Sequence, residues 1–283
     1  MIIKKVGVVG CGLMGGGIAQ VCAESGYETI AREINEELLE KGIKAIKANW
    51  DKAVSKNRMT EDNRGLAIQK LKGTIDMKDF GDCDIVIEAA IEQMDLKKAI
   101  FAELDSITPA NAILATNTSC LSIIEIASAT KRPEKVLGIH FFNPVPAMKL
   151  VEVIETISTS KESMETGIDF SQSLGKQVVK AKDSPGFIVN LLLIPFLLDS
   201  IRAYEKGLAT KEDIDAGVKL GLNHPMGPLT LTDLVGLDTT YHIACAMYEE
   251  TADPKYAPPV LLKQMVTAGW MGRKSGKGFY EYK

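Results

Sequence analysis

No apolar run in the 283 residues reaches the ~20 positions that a membrane-crossing helix needs. The longest candidate, GFIVNLLLIPFLL, is interrupted by Asn190 and Pro195 and reads as a buried core helix. A dense basic block is also missing, and the formal net charge is −4, which argues against nucleic acid as the main partner. A local basic site facing a small anion stays open. The five cysteines, Cys11, Cys22, Cys83, Cys120 and Cys245, form no C-x-x-C pair and have no metal-ligand spacing. Reduced thiols and no metal are therefore expected. The opening MIIKKVGVVG has neither a separate signal-peptide apolar region nor a cleavage site, so the expected location is the cytoplasm. Histidine is scarce: the chain has three.

What is present matches an ordinary globular protein, with 46% apolar and 25% charged residues and length for one large or two ordinary domains. KVGVVG, YETIA, DIVIEA, AILAT and KVLGI read as short strands separated by helical patterns. That alternation predicts an α/β fold, a mostly parallel sheet with helices on both faces. After the second run comes an insertion, residues 36–72, with Leu39, Ile43, Ile46, Trp50 and Ala53 at spacings of three and four. The spacing predicts a helical hairpin whose second helix starts near Thr60.

LVEVIE and KQVVKA read as two further strands, and Pro185 and Gly186 in KDSPGF then break the pattern. Residues 187–206 predict a helix apolar almost all round, bent at Pro195 and ended by Gly207. Thr210 to Asp213 resembles a capping box for the next helix, which Gly221 closes. The expected partition is residues 1–184 and an all-helical domain over 185–283. A helix that is apolar on every side needs partners on every side, so a subunit interface is expected there.

VGVVGCGLMGGGIAQ supplies Gly10, Gly12 and Gly15 in the order G-x-G-x-x-G, after a strand and at the start of a helix. Such a turn admits a pyrophosphate against backbone N–H groups, and Leu13 and Met14 within it go with the same site. Glu33 follows the second strand, 18 residues after Gly15, where a carboxylate accepts the adenosine ribose hydroxyls. The plainer reading is an exposed acid in the run REINEELLE. Arg32 next door suits a 2′-phosphate, but the carboxylate repels one, so NAD is favoured over NADP.

A bound nicotinamide needs a base for the substrate proton. In GIHFFNP, His140 lies after what reads as the sixth strand, at the end of the sheet where ligands bind. Twelve residues on, KLVEV offers Glu152 between two valines. A carboxylate on one imidazole nitrogen fixes the tautomer and favours the imidazolium. Taken singly, each is as readily a core residue.

GCGLMGGGIAQ, IEAAIEQMDLKK, ATNTSCLSI, GIHFFNPVPAMKLVEV, DSPGFIVN, LGLNHPMGPLTLTDLVGLD and GWMGRKSGKGFYEY together resemble the short-chain L-3-hydroxyacyl-CoA dehydrogenases, and most closely their bacterial 3-hydroxybutyryl-CoA branch. The resemblance implies a Rossmann-type NAD domain and a helical C-terminal domain that dimerises and contributes to substrate binding. It implies a catalytic His–Glu dyad on His140 and Glu152, with substrate contacts on Ser119 and Asn190. It also implies cofactor contacts on Glu92, Lys97, Asn117 and Asn143. For an acyl-CoA thioester it places a phosphate contact on the hairpin, where Lys52 and Lys56 sit one turn apart. The implied reaction interconverts acetoacetyl-CoA and (S)-3-hydroxybutyryl-CoA. The residues by themselves leave blander readings open: a solvated lysine face, and for Asn190 a satisfied polar group in a buried helix. Cys11, Glu33 and Cys120 depart from the family pattern, and Glu33 alone bears on the cofactor. Two rivals are a same-fold enzyme acting on a free hydroxy acid and a non-catalytic dinucleotide-binding protein.

Overall fold

The computed structural model describes residues 1–282. Residues Met1–Asp183 form one compact unit and a second begins at Ser184. The first holds eight strands: β1 Lys5–Val9, β2 Glu28–Arg32, β3 Leu71–Thr74, β4 Ile85–Glu88, β5 Ile113–Thr116, β6 Val136–Phe141, β7 Leu150–Glu155 and β8 Gln177–Lys182. They form one sheet in the order β3-β2-β1-β4-β5-β6-β7-β8. Neighbours are parallel except β6 and β7, which are antiparallel. Strands β4, β5 and β6 are buried at every position. Their unbroken apolar runs are what a sheet covered on both faces requires, whereas the edge strand β8 is only partly buried.

The helices of this unit are α1 Leu13–Glu24, α2 Glu36–Ser55, α3 Glu61–Lys70, α4 Met94–Ile107, α5 Ile123–Ala127 and α6 Lys161–Ser173. The expected hairpin is α2 and α3. Asn35 Oδ1 accepts the Leu38 N–H, and Thr60 Oγ1 accepts the Asn63 N–H, so each helix starts at a side-chain cap. Helix α2 buries Leu39, Gly42, Ile46 and Trp50, and Trp50 Nε1 donates to Glu24 Oε1 of α1 at 2.7 Å. Strand order reverses between β1 and β4, since β2 and β3 extend one way and β4 onward the other. In an open α/β sheet that point, at the carboxyl ends of the strands, is where ligands bind.

Strand β3 was not legible in the sequence. LKGT has low strand propensity, and its first two residues fall at the end of the hairpin pattern. It forms because β2 offers a parallel edge, Thr29 opposite Leu71 through Arg32 opposite Thr74, and because Leu39 covers Gly73.

The second unit is helical: α7 Val189–Glu205, α8 Lys211–Gly221, α9 Pro228–Val235, α10 Leu237–Thr251 and α11 Val260–Thr267. Helix α7 runs on through Pro195, and Gly207, at φ +69°, follows its end. Thr210 caps α8 as expected, its Oγ1 accepting the Asp213 N–H. That helix closes at Gly221, its last residue, with Leu222 as the cap and the positive φ on Asn223. Two buried aspartates organise the rest. Asp215 accepts the N–H groups of Leu229 and Thr230 at the start of α9, and Asp233 accepts those of Phe279 and Tyr280 and the Tyr282 hydroxyl. The GKGFYEY stretch is thereby strapped to α9. Among the described residues no helix is long and apolar enough to cross a membrane.

Candidate active site

The glycine loop joins β1 to α1. Gly10 has φ +92°, and a Cβ there would stand 2.8 Å from the Ala89 carbonyl oxygen of the loop after β4. A Cβ on Gly15 would collide with the carbonyl of Gly10. At Gly12, by contrast, no protein atom lies within 4 Å of where a Cβ would stand. Two glycines are thus required by the turn and by close helix–strand contact, and the third keeps the approach to the helix N-terminus bare. Leu13 is exposed and Met14 half-buried on that first turn. Glu33, just past β2, reaches back to the loop: its Oε1 accepts the Cys11 N–H at 2.8 Å and its Oε2 the Ile34 N–H at 3.0 Å. Arg32 Nε instead turns to the Ile75 carbonyl at 3.4 Å. These residues suit a dinucleotide with a ribose at Glu33. Cys11 packs beneath the loop against Gly42, and burial followed by the Glu33 charge pushes its thiol up to about 11.

The loops after β4 and β5 are knitted together. Glu92 Oε1 accepts the Thr118 hydroxyl at 2.5 Å and the Ser119 N–H at 2.8 Å. Its Oε2 lies 3.2 Å from Lys97 Nζ, and that ammonium also lies 2.7 Å from Glu88 Oε1. Lys97 is 1% exposed. Asn117 Oδ1 accepts the Phe141 N–H at 2.8 Å, tying the β5 loop to the end of β6. Cys120 is buried here, its thiol pushed up to about 12 by burial first and the Glu92 charge second, so it stays neutral in ordinary buffers.

His140 lies within β6, next to its last residue, rather than after the strand. The register sets it directly opposite Glu152 on β7, with Nδ1 2.7 Å from Oε2. The side chains are 6% and 0% exposed. Because a carboxylate only accepts, Nδ1 is the donor of this hydrogen bond. Phe142 lies against the ring, centroids 4.6 Å apart. Asn143, exposed, precedes a cis bond to Pro144. The loop that follows is held by Lys176 Nζ, which donates to the carbonyls of Val145 at 2.5 Å and Met148 at 2.9 Å. On its other side Val145 abuts Gly17 of α1.

Models of two domains match the chain: the 3-hydroxyacyl-CoA dehydrogenase NAD binding domain over residues 5–184 and the 3-hydroxyacyl-CoA dehydrogenase C-terminal domain over residues 186–282. The chain belongs to the 3-hydroxyacyl-CoA dehydrogenase family. It is 49% identical over 282 residues to a Mycobacterium tuberculosis 3-hydroxybutyryl-CoA dehydrogenase, covering 99% of each chain. It is 44% identical over 291 residues to the human mitochondrial hydroxyacyl-coenzyme A dehydrogenase, covering 100% of this chain and 92% of that one. Among solved structures, the (S)-3-hydroxybutyryl-CoA dehydrogenase of Ralstonia eutropha superposes with a TM-score of 0.95 at 43% identity, with full coverage of both chains.

Within this 3-hydroxyacyl-CoA dehydrogenase the first unit holds three of the expected groupings: the glycine loop with Glu33, the Glu92–Lys97–Ser119 set, and the His140–Glu152 pair with Asn117 alongside. Asn190 is buried in the first turn of α7 in the second unit. Lys52 is exposed on the last turn of α2, and Lys56, also exposed, is its C-cap. Sequence reasoning passed over Glu88 and Lys176. A carboxylate closing the otherwise apolar strand IVIE, beside the point where strand order reverses, was a usable signal. Lys176 had none, because its partners are backbone carbonyls 28 and 31 residues away.

Proposed function

We propose that the chain interconverts (S)-3-hydroxybutyryl-CoA and acetoacetyl-CoA with NAD(H), with His140 as general acid/base and Glu152 as its partner. The names of the relatives support the substrate, and the buried His140–Glu152 contact of 2.7 Å is the observation that carries the chemistry. In oxidation His140 Nε2 takes the proton of the β-hydroxyl, and in reduction the imidazolium returns it. Glu152 fixes ring orientation and tautomer and balances the charge the ring acquires. Ser119 is a neutral donor to the β-oxygen as negative charge develops on it, and the family resemblance gives Asn190 a substrate contact. Bound NAD supplies the hydride acceptor for the β-carbon.

The chain holds that cofactor through Gly10, Gly12, Leu13, Met14, Gly15, Glu33, Glu92, Lys97, Asn117 and Asn143. Glu33 favours NAD: its oxygens retain acceptor capacity for ribose hydroxyls, while its charge opposes a 2′-phosphate. NADP is at most a minor alternative. Lys52 and Lys56 meet the phosphates of coenzyme A. Residues 1–184 serve as the NAD domain and 185–283 as the dimerisation and substrate domain. Exposed Leu192, Leu208, Leu220 and Leu222 on the helical unit support a homodimer. Free, mostly buried thiols support a cytoplasmic enzyme.

Steady-state reduction of acetoacetyl-CoA with NADH and NADPH in parallel, and of free acetoacetate as control, tests the proposal. The thioester with NADH is expected to give the highest kcat/KM. Faster turnover of the free acid identifies a hydroxy-acid enzyme instead, and no turnover of either identifies a binding protein.

A further inference from the structure

Glu88 closes β4, and its carboxylate is fully buried, at 0% exposure. None of the chemistry assigned above uses it. A buried carboxylate is costly unless its oxygens are hydrogen-bonded, and here both are. Oε1 accepts from Lys97 Nζ and from the Ala90 N–H, both at 2.7 Å, and Oε2 accepts the Thr116 hydroxyl at 2.7 Å. Lys97 continues outward, donating to the Ala90 carbonyl at 3.5 Å and pairing with Glu92 Oε2 at 3.2 Å. The Glu92 side chain is 37% exposed, and its other oxygen holds the Ser119 N–H and the Thr118 hydroxyl. Glu88, Lys97, Glu92 and Ser119 thus form a line running from the core to the loop after β5.

We infer that Glu88 is a positioning residue for Ser119. One ammonium sits between two carboxylates, and its place is set by their opposed attractions. If Glu88 loses its charge while keeping its shape, Lys97 moves toward Glu92. Glu92 is then drawn off the neutral donors of the β5 loop, and Ser119 shifts with them. The same carboxylate holds the Ala90 N–H and the Thr116 hydroxyl, so one buried charge ties the loop after β4 to the end of β5. The inference rests on the reading of Ser119 as a substrate contact. A merely structural ion pair would lower stability without acting through Ser119.

The experiment is a cycle of Glu88→Gln, Ser119→Ala and the double variant. Its readouts are kcat/KM for acetoacetyl-CoA reduction, NADH affinity by fluorescence titration, and Tm. Glu88→Gln is expected to lose about 10-fold in kcat/KM, the scale of coupled neighbours and small misplacements. At saturating NADH the double variant is expected to be no worse than Ser119→Ala, any effect through the glycine loop showing separately in NADH affinity. If the two losses multiply, Glu88 acts elsewhere and the inference fails while the reading of Ser119 stands. If Ser119→Ala alone is harmless, both fail. Should Glu88→Gln not fold, Glu88→Asp draws the carboxylate back from Lys97 by one methylene and leaves the β5 loop's own hydrogen bonds in place. It carries the same cycle, with the same expected loss of effect in the Ser119→Ala background.

Discussion

His140 and Glu152 stand directly opposite one another across the antiparallel β6–β7 ladder, with Nδ1 and Oε2 2.7 Å apart. Cross-strand partners share a face of the sheet, so neither side chain needs a loop to find the other. Two backbones fix the geometry of the pair before any reactant arrives.

Replacing His140 by Gln keeps a donor for Glu152 and removes the imidazole. The expected result is a kcat lower by roughly 10²–10⁴, with NADH binding and Tm nearly unchanged. Glu152→Gln is expected to lower kcat as well, and the double variant to be no worse than His140→Gln, since the carboxylate acts only through the ring. Steady-state rates with a melting curve for each variant check this. Normal turnover in a folded His140→Gln enzyme, or multiplying losses, would contradict the dyad.

Glu33→Ala removes acceptors for the ribose and, with them, the hold on the Cys11 N–H. Hydrogen bonds to a charged group carry about 1.5–3 kcal/mol, so KM for NADH is expected to rise about 10-fold or more. The kcat should change far less, because adenosine contacts are equal in ground and transition states. The NADH/NADPH ratio of kcat/KM should fall. An unchanged ratio would show that Glu33 does not read the ribose.

Lys52 and Lys56 are both exposed on the end of α2. The double alanine variant is expected to raise KM for acetoacetyl-CoA a few-fold at low salt, with the effect shrinking as salt rises. NADH kinetics serve as the internal control. An unchanged thioester KM at low salt would return both lysines to a solvated helix face.

Stability is expected to fall at alkaline pH. Burial raises the thiols of Cys11 to about 11 and of Cys83 and Cys120 to about 12, from 9.0. The folded chain therefore keeps protons that the unfolded chain releases. Their contribution is fully present below pH 9 and is lost as pH climbs from there toward the folded values. Each thiol accounts for up to about 1.4 kcal/mol per pH unit in that window. Calorimetry from pH 7 to 11 should give a level Tm to about pH 8.5 and a decline above 9, less steep in Cys120→Ser. A Tm that stays level to pH 11 would count against these buried thiols.

The sequence by itself determined whatever depends on neighbours along the chain. The G-x-G-x-x-G turn, the caps at Thr60 and Thr210, the unbroken runs of β4 to β6 and the hairpin period are local signals, and each is written within a few residues. His140 and Glu152 were legible because a histidine and an acid stood conspicuous in two apolar runs. What only the tertiary structure decided involves partners supplied from far away. Strand β3 exists because β2 presents an open edge to residues that would not extend alone. Glu88 gains its place from Lys97, Thr116 and Ala90, and Lys176 from two carbonyls of the loop after His140. A buried charge is tolerated only where the fold brings it a complete set of partners. No pattern of spacing along the chain records that set.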